Sequence, residues 1–211
     1  MTDPADTVTE AENPTAVKGG TVMKKVTVIW SSPNTDGMTA AAKDEILRGL
    51  TDAGAEVGEI HLNRKNIEHC RACGDGWGAC RAQGTCVIQD DFAEIYRTLQ
   101  ESDGIVWISA VYFSEMTECF KAFFDRLRRC DAFTGQKLAE KRCVTVACAG
   151  GTGRGTLECL QQFERGLTHM GMRIYDRISV ERYNREYILP ALYEAGKTYA
   201  ERLETGFDMW Y

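Results

Sequence analysis

Short apolar runs alternate along the chain with segments whose apolar residues recur at helical spacing. Because they are short and rich in β-branched residues, five runs are typical of buried strands: "KKVTVIW", "EVGEIHL", "GIVWIS", "RCVTVACA" and "RIYDRIS". Each is followed by a helical segment, the last of which contains Pro190, predicted to start or kink that helix. Five alternations predict one doubly wound α/β domain: a five-stranded parallel sheet with helices on both faces.

The two ends of this pattern set the predicted domain limits. The stretch "MTDPADTVTEAENPTAVKGG" is acidic and polar and lacks both a basic and an apolar region, so it predicts a disordered tail over residues 1–22 and not a secretory signal. The domain is predicted over residues 23–211. No apolar run reaches the roughly 18 residues that a spanning helix needs. We therefore expect a cytoplasmic protein with no membrane partner.

Composition narrows the function classes. The chain is 44% hydrophobic, and its formal net charge of -6 argues against a nucleic acid held by phosphate neutralisation. The chain has nine cysteines, which in a reducing cytosol do not form a disulfide framework. Dense cysteine spacing then points to metal or redox chemistry.

In a doubly wound sheet, ligands bind at the carboxyl ends of the strands, so the loops there are informative. "SSPNTDGMT" runs from the first strand into a helix N-terminus, where backbone N–H groups and the hydroxyls of Ser32 and Thr39 favour a phosphate. With one glycine and no lysine, this loop suits a phosphate monoester better than a pyrophosphate or a triphosphate. A simple capped turn is the alternative.

The loops after the third and fourth strands complete this edge. "SAVYFSEMT" places Tyr112 and Phe113 at a strand tip, where aromatic rings can flank a planar ligand. "CAGGTGRGT" is glycine-rich, which lets backbone approach a ligand closely, although a mobile connection is the alternative. Together the loops predict a phosphate cradle, an aromatic platform and a glycine wall.

In order and spacing, "SSPNTDGMT", "SAVYFSEMTECFKAFFDRL" and "KLAEKRCVTVACAGGTG" resemble the flavodoxin-like NAD(P)H-dependent FMN reductases, over residues 24–155. The resemblance implies strand order 2-1-3-4-5, FMN as cofactor, NAD(P)H as electron donor and a quinone, flavin or other small molecule as acceptor. It also implies a homo-dimer or homo-tetramer.

The resemblance assigns the cofactor site residue by residue. The FMN phosphate would be bound by Ser32, Asn34, Gly37, Met38 and Thr39. The isoalloxazine would lie along Ala110, Val111, Tyr112 and Phe113, and its other side would be lined by Gly150, Gly151, Thr152 and Gly153. Ser31, Met38 and Ala110 depart from the family pattern, which usually has glycine, asparagine and proline there, but the backbone donors survive these changes.

The cysteine-rich loop 70–86, "CRACGDGWGACRAQGTC", lies after the second strand and narrows the resemblance to the iron–sulfur flavoproteins. Their motif has two residues between its second and third cysteines, whereas this chain carries four more, within "GDGWGA". Cys70, Cys73, Cys80 and Cys86 could hold a [4Fe–4S] cluster or a tetrahedral zinc ion, or form a metal-free loop. The other five cysteines are predicted to be small core residues.

The predicted function is an FMN-dependent NAD(P)H oxidoreductase in which the cysteine loop adds a one-electron relay. The flavin carries the redox chemistry, so we assign no catalytic acid, base or nucleophile, and we expect each of the three histidines to be satisfied or exposed. One alternative is a non-enzymatic electron carrier whose partner is a redox protein, with the acidic surface steering docking. The other is a binding module stapled by zinc.

Overall fold

The structure, a computed structural model, describes residues 23–205, with side chains through residue 203. The predicted tail over residues 1–22 lies outside the described residues. The strands are Lys25–Ser31 (β1), Glu56–His61 (β2), Gly104–Tyr112 (β3), Glu115–Met116 (β4), Arg142–Ala149 (β5) and Arg173–Glu181 (β6). The α-helices are Met38–Asp52 (α1), Ala79–Gln83 (α2), Phe92–Glu101 (α3), Glu118–Asp131 (α4), Thr156–His169 (α5) and Arg185–Thr205 (α6).

Five parallel strands form the sheet in the order β2-β1-β3-β5-β6, and the short β4 pairs antiparallel with the end of β3. The five parallel strands are the five apolar runs, so the predicted order 2-1-3-4-5 and the flavodoxin-like fold class are confirmed. The structure adds β4 and the short helix α2, which the hydrophobic pattern did not predict. Helix α6 begins at Arg185, so Pro190 lies inside it and does not start it.

Apolar side chains cover both faces of the sheet. On one face α3, α4 and α5 pack over Trp107 with a set of aromatic rings that includes Phe92, Phe120, Phe123 and Phe163. On the other face α1 and α6 cover the valines of β1, β3 and β5. The helices on both faces therefore have the predicted arrangement. Among the described helices, none combines the length and apolar character that crossing a bilayer requires.

The strand register brings three loops to one edge of the sheet. Ser31 at the end of β1 pairs with Ser109 of β3, and Ser109 pairs with Ala147 of β5. Because all three strands are parallel, their carboxyl ends lie together. The loops that follow β1, β3 and β5 therefore start side by side.

Helices α1 and α6 pack backbone to backbone through two glycines. A methyl group added at Gly49 would overlap the Tyr193 carbonyl oxygen, and one added at Gly196 would lie 2.6 Å from the Ile46 carbonyl oxygen. This close approach fixes the position of α1, which begins at the edge of the sheet where the three loops start.

We predict that Gly49→Ala lowers the free energy of unfolding by about 1–3 kcal/mol, because the methyl group must push α6 away. This loss outweighs the roughly 1 kcal/mol by which alanine is the better helix former. Urea denaturation measures the change. Gly58→Ala in β2 is the control, since its methyl group would lie 3.6 Å from Thr27 Oγ1, an ordinary contact. Equal stability of Gly49→Ala and the unmodified chain would contradict the close packing.

Candidate functional site

The loop between β1 and α1 presents an unprotected helix N-terminus. Helix α1 begins after Gly37, whose backbone is extended, and in the described structure no side chain caps it and no acidic residue lies in its first turn. The first N–H groups of a helix lack partners within the helix, and its dipole places positive charge there. This end of α1 therefore suits an anion such as a phosphate.

The predicted phosphate residues divide into two groups. Ser32 is 6% exposed, and its Oγ accepts the Asn34 N–H at 3.3 Å. A methyl group at Gly37 would lie 3.0 Å from Asn34 Nδ2, so this turn is tight. Thr39 is buried beside Cys148, to which its side chain is hydrogen-bonded, and Met38 packs against the core. Asn34 is thus exposed on the loop and Gly37 is half-buried, while Ser32 and Thr39 are buried and Met38 packs against the core.

His61 and Trp30 contact the loop between β1 and α1. The His61 Nε2 atom lies 2.8 Å from the Ser32 carbonyl oxygen, and its ring stacks on Trp30 with centroids 3.8 Å apart. The Trp30 Nε1–H donates to Glu59 Oε1 at 2.8 Å. The histidine is satisfied, as expected, but its contact with the loop was not apparent from the sequence because it depends on the β1–β2 pairing.

The aromatic residues at the end of β3 lie at a strained two-residue turn. Phe113 and Ser114, between β3 and β4, have φ values of +46° and +69°, in the left-handed region that such a hairpin turn normally fills with glycine or asparagine. Phe113 is fully exposed and Tyr112 is 43% exposed. Backbone strain of this kind concentrates at functional sites. The turn holds both rings at the edge of the sheet, where the sequence predicted an aromatic platform.

The glycine-rich loop after β5 lies against this turn. A methyl group at Gly155 would come within 2.6 Å of Ser114 Cα, so only glycine permits the contact. Positions Gly150 and Gly151 face open space, with no other atom within 4 Å of where a side chain would begin. The loop therefore contacts the β3–β4 turn at Gly155, while its backbone at Gly150 and Gly151 is open to a ligand.

Glu181 is a supporting residue that the sequence did not indicate. Its Oε1 accepts hydrogen bonds from Ser179 Oγ at 3.1 Å and Thr156 Oγ1 at 3.4 Å. A methyl group at Gly153 would lie 2.6 Å from Glu181 Oε2, so the carboxylate backs the glycine loop. The pairing of β5 with β6 creates this contact, which no local pattern could predict.

Hydroxyl groups tie the strand ends together beneath these loops. Ser31 Oγ is hydrogen-bonded to Thr117 Oγ1, and the Thr117 N–H donates to Ser109 Oγ at 3.1 Å. The Thr117 side chain also accepts from the Phe120 N–H at the start of α4. These hydrogen bonds join the ends of β1 and β3 to the start of α4. The unpaired N–H groups of α1 and the open backbone at Gly150 and Gly151 fit a planar cofactor that bears one phosphate.

The four cysteines of loop 70–86 line one pocket of about 350 Å³, a volume that includes space open to solvent. Helix α2 carries Cys80 and packs on α4. Within residues 23–205, no group of three or more histidine, cysteine or acidic side chains is arranged to hold a single metal ion. The loop brings Cys70, Cys73, Cys80 and Cys86 to one pocket even though four extra residues separate Cys73 from Cys80.

A fifth cysteine lies in the wall of the same pocket. Cys130 at the end of α4 is 1% exposed, as predicted for a core residue, but it also lines the pocket beneath Cys80 and Cys86. Burial, followed by the neighbouring Cys86, raises the pKa of the Cys130 thiol to about 12. Cys143, Cys148 and Cys159 are buried in the core, while Cys119 is half-buried and contacts Ser31 and Thr117.

An open pocket connects the cysteine loop with the aromatic tip. Its volume, which includes space open to solvent, is about 940 Å³, and its lining includes His69, Cys70, Tyr112 and Met116. The two candidate centres therefore face the same space, although 42 positions separate Cys70 from Tyr112 in the sequence.

Comparison with known proteins agrees with this geometry. The chain is 36% identical over 103 residues to an iron–sulfur flavoprotein from Archaeoglobus fulgidus, a match that covers 49% of this chain and 45% of that protein. It is 35% identical over 138 residues to an iron–sulfur flavoprotein from Methanocaldococcus jannaschii, covering 65% of this chain and 68% of the relative. The chain thus spans about half the length of the first relative.

The fold is also that of a solved oxidoreductase. An NAD(P)H:quinone oxidoreductase from Methanothermobacter marburgensis superposes with a TM-score of 0.71 at 19% identity, over 90% of this chain and all of that one. The model of the NADPH-dependent FMN reductase family matches residues 24–183. The resemblance drawn from the loops is therefore confirmed at the level of the family and its flavin and nicotinamide cofactors. The chain belongs to the NADPH-dependent FMN reductase family.

Proposed function

We propose that the chain binds FMN and transfers electrons from NAD(P)H to a small acceptor such as a quinone or a free flavin, with a [4Fe–4S] cluster in the cysteine loop as a one-electron relay. The observation that carries this proposal is the open pocket shared by Cys70 and Tyr112. It gives the cysteine loop and the aromatic platform one common space.

Three loops, those after β1, β3 and β5, would hold FMN. The N–H groups at the start of α1 after Gly37 would bind the phosphate, with Ser32, Asn34, Met38 and Thr39 as the residues that the family resemblance assigns to it. Ala110, Val111, Tyr112 and Phe113 border one side of the ring position. The wall on the other side is formed by Gly150, Gly151, Thr152 and Gly153. When bound, FMN supplies hydride and single-electron chemistry, and the chain orients the ring and tunes its surroundings.

The cysteine pocket would hold the cluster. Its four loop thiols, Cys70, Cys73, Cys80 and Cys86, line the same pocket. A [4Fe–4S] cluster takes four cysteine thiolates and depends on N–H donors and shielding for its potential. The relatives that match this chain are named iron–sulfur flavoproteins, which supports the same choice over zinc.

An electron carrier would use the same fold without efficient nicotinamide oxidation. Mixing the anaerobic protein with NADPH and a water-soluble quinone distinguishes the two functions. If the chain is an oxidoreductase, NADPH will bleach the flavin absorption rapidly and many quinone molecules will be reduced per chain. Slow bleaching, with reduction only by a partner protein, would favour the carrier.

We predict that Ser32→Ala weakens FMN binding by about tenfold to a hundredfold, since a hydrogen bond to a charged group contributes about 1.5–3 kcal/mol. Fluorescence titration of the FMN-free protein measures the dissociation constant. Thr51→Ala is the control, because its hydroxyl donates to the Leu47 carbonyl at the opposite end of α1. Equal affinity of Ser32→Ala and the control would mean that the phosphate binds elsewhere.

The four loop cysteines should act as a unit. Replacing any one of Cys70, Cys73, Cys80 and Cys86 by alanine is expected to remove most of the iron and sulfide, because a cluster that lacks one thiolate is labile. FMN should remain, since its phosphate site is on another loop. Iron and acid-labile sulfide are counted on protein purified without air, with about four of each expected in the unmodified chain.

Cys159→Ala is the control for the cysteine series, because this thiol is buried in the core away from the loop. It should change neither iron nor sulfide. Zinc without sulfide in the unmodified chain would instead support the zinc-stapled module.

A further inference from the structure

Three arginines line the cysteine pocket. Besides five cysteines, its lining includes Arg71, Arg126 and Arg129, and no carboxylate lies among the described lining residues. Both Arg126 and Arg129 come from α4, so they approach from the protein side, opposite the loop. Arg71 is paired with Glu68 and Arg126 with Asp90, so Arg129 is the one of the three whose charge no carboxylate of the described residues balances.

Hydrogen bonds fix the Arg126 guanidinium in the pocket wall but leave its Nε–H without a partner. Its side chain is 1% exposed, and its two terminal nitrogens donate to the Asp90 carboxylate at 2.6 and 2.8 Å. It also donates to the Glu68 carbonyl at 3.0 Å and lies 4.4 Å from the centre of the Phe92 ring. The Nε–H is buried without a hydrogen-bond partner, while the guanidinium as a whole interacts with the Cys86 side chain through a hydrogen bond and through charge.

Arg129 repeats this arrangement one turn along the helix. Its guanidinium lies 4.0 Å from the centre of the Trp77 ring and donates to the Gly76 carbonyl, so it holds the inserted "GDGW" segment of the loop. Its Nε–H is also buried without a partner. Within the described part of the chain, Arg129 forms no ion pair with a carboxylate, whereas the charge of Arg126 is balanced by Asp90.

Two buried N–H groups without partners in one pocket require an explanation, because nearly all buried polar groups in proteins are hydrogen-bonded. Each belongs to a guanidinium that other contacts hold in place, so neither can turn away to solvent. We propose that Arg126 and Arg129 are positioning residues that hold the metal centre of the cysteine pocket and set its reduction potential. This inference rests on the [4Fe–4S] cluster of the proposed function.

The two arginines would act by different physical means. Four thiolates around an iron–sulfur core carry net negative charge, and one-electron reduction increases it. A fixed positive charge and N–H donors to sulfur stabilise the reduced form more than the oxidised form, which raises the potential. Arg129 contributes uncompensated charge, whereas Arg126, paired with Asp90, contributes mainly a donor.

Arg129→Gln tests this assignment in the full chain, purified anaerobically with FMN bound. A redox titration followed by electron paramagnetic resonance measures the midpoint potential of the cluster. We expect a shift to more negative potential equivalent to at least a tenfold change in the reduction equilibrium, about 59 mV for a one-electron couple. Arg129→Lys keeps the charge and should recover most of the shift.

The neighbouring substitution Arg128→Gln is the matched control. It makes the same charge change on the same helix, but Arg128 lines a different pocket, beside Phe124 and Arg165. Loss of iron from Arg129→Gln but not from Arg128→Gln would also support the assignment. Equal potentials and equal iron contents in both variants would overturn it.

A second variant keeps the test independent of Arg129. Arg126→Gln combined with Asp90→Asn removes both members of the buried pair, so no charge is left unpaired. The double variant should retain FMN and shift the cluster potential to more negative values; an unchanged potential would contradict the role of Arg126. Unmodified protein without iron and sulfide would overturn the cluster and this inference together, whereas a cluster of unaltered potential would overturn the inference alone.

Discussion

Every part of the candidate site depends on the parallel register of β1, β3 and β5. Ser31, Ser109 and Ala147 lie in one row across the sheet, about 5 Å apart from strand to strand, so the three loops that follow begin at the same edge. These loops come from distant parts of the chain. A shift of one strand by one residue would exchange the side chains on its two faces and move its loop by about 3 Å along the strand. The apolar cover on both faces prevents such a shift.

Several local rules of good packing are broken at this edge and in the cysteine pocket. Phe113 and Ser114 occupy left-handed backbone conformations without being glycine, and two arginine Nε–H groups are buried without partners. Such features cost stability and persist where the surrounding structure compensates for them. Here the compensation comes from the aromatic core beneath the sheet and from the Asp90–Arg126 pair, which anchors the start of α3 to α4.

Much of the fold could be predicted from the sequence because its determinants are local. Apolar runs and helical spacing identified the five parallel strands and the long helices, and the loops at the strand ends followed from the alternation. The turn at Phe113 was not predictable, since its conformation contradicts the residue types present. Glu181, Cys130 and Arg126 were missed for another reason: each acts through a partner brought close only by folding, so nothing in its own neighbourhood distinguishes it from a core or surface residue.

The central claim is that the flavin edge and the cysteine pocket exchange electrons across the space between Cys70 and Tyr112. Stopped-flow reduction of the anaerobic protein by NADPH tests it most directly, with flavin absorption and the broad iron–sulfur absorption recorded separately. The account predicts that both absorptions fall, and that electron uptake per chain exceeds what FMN alone accepts. A flavin that is fully reduced while the iron–sulfur absorption stays unchanged would contradict the claim.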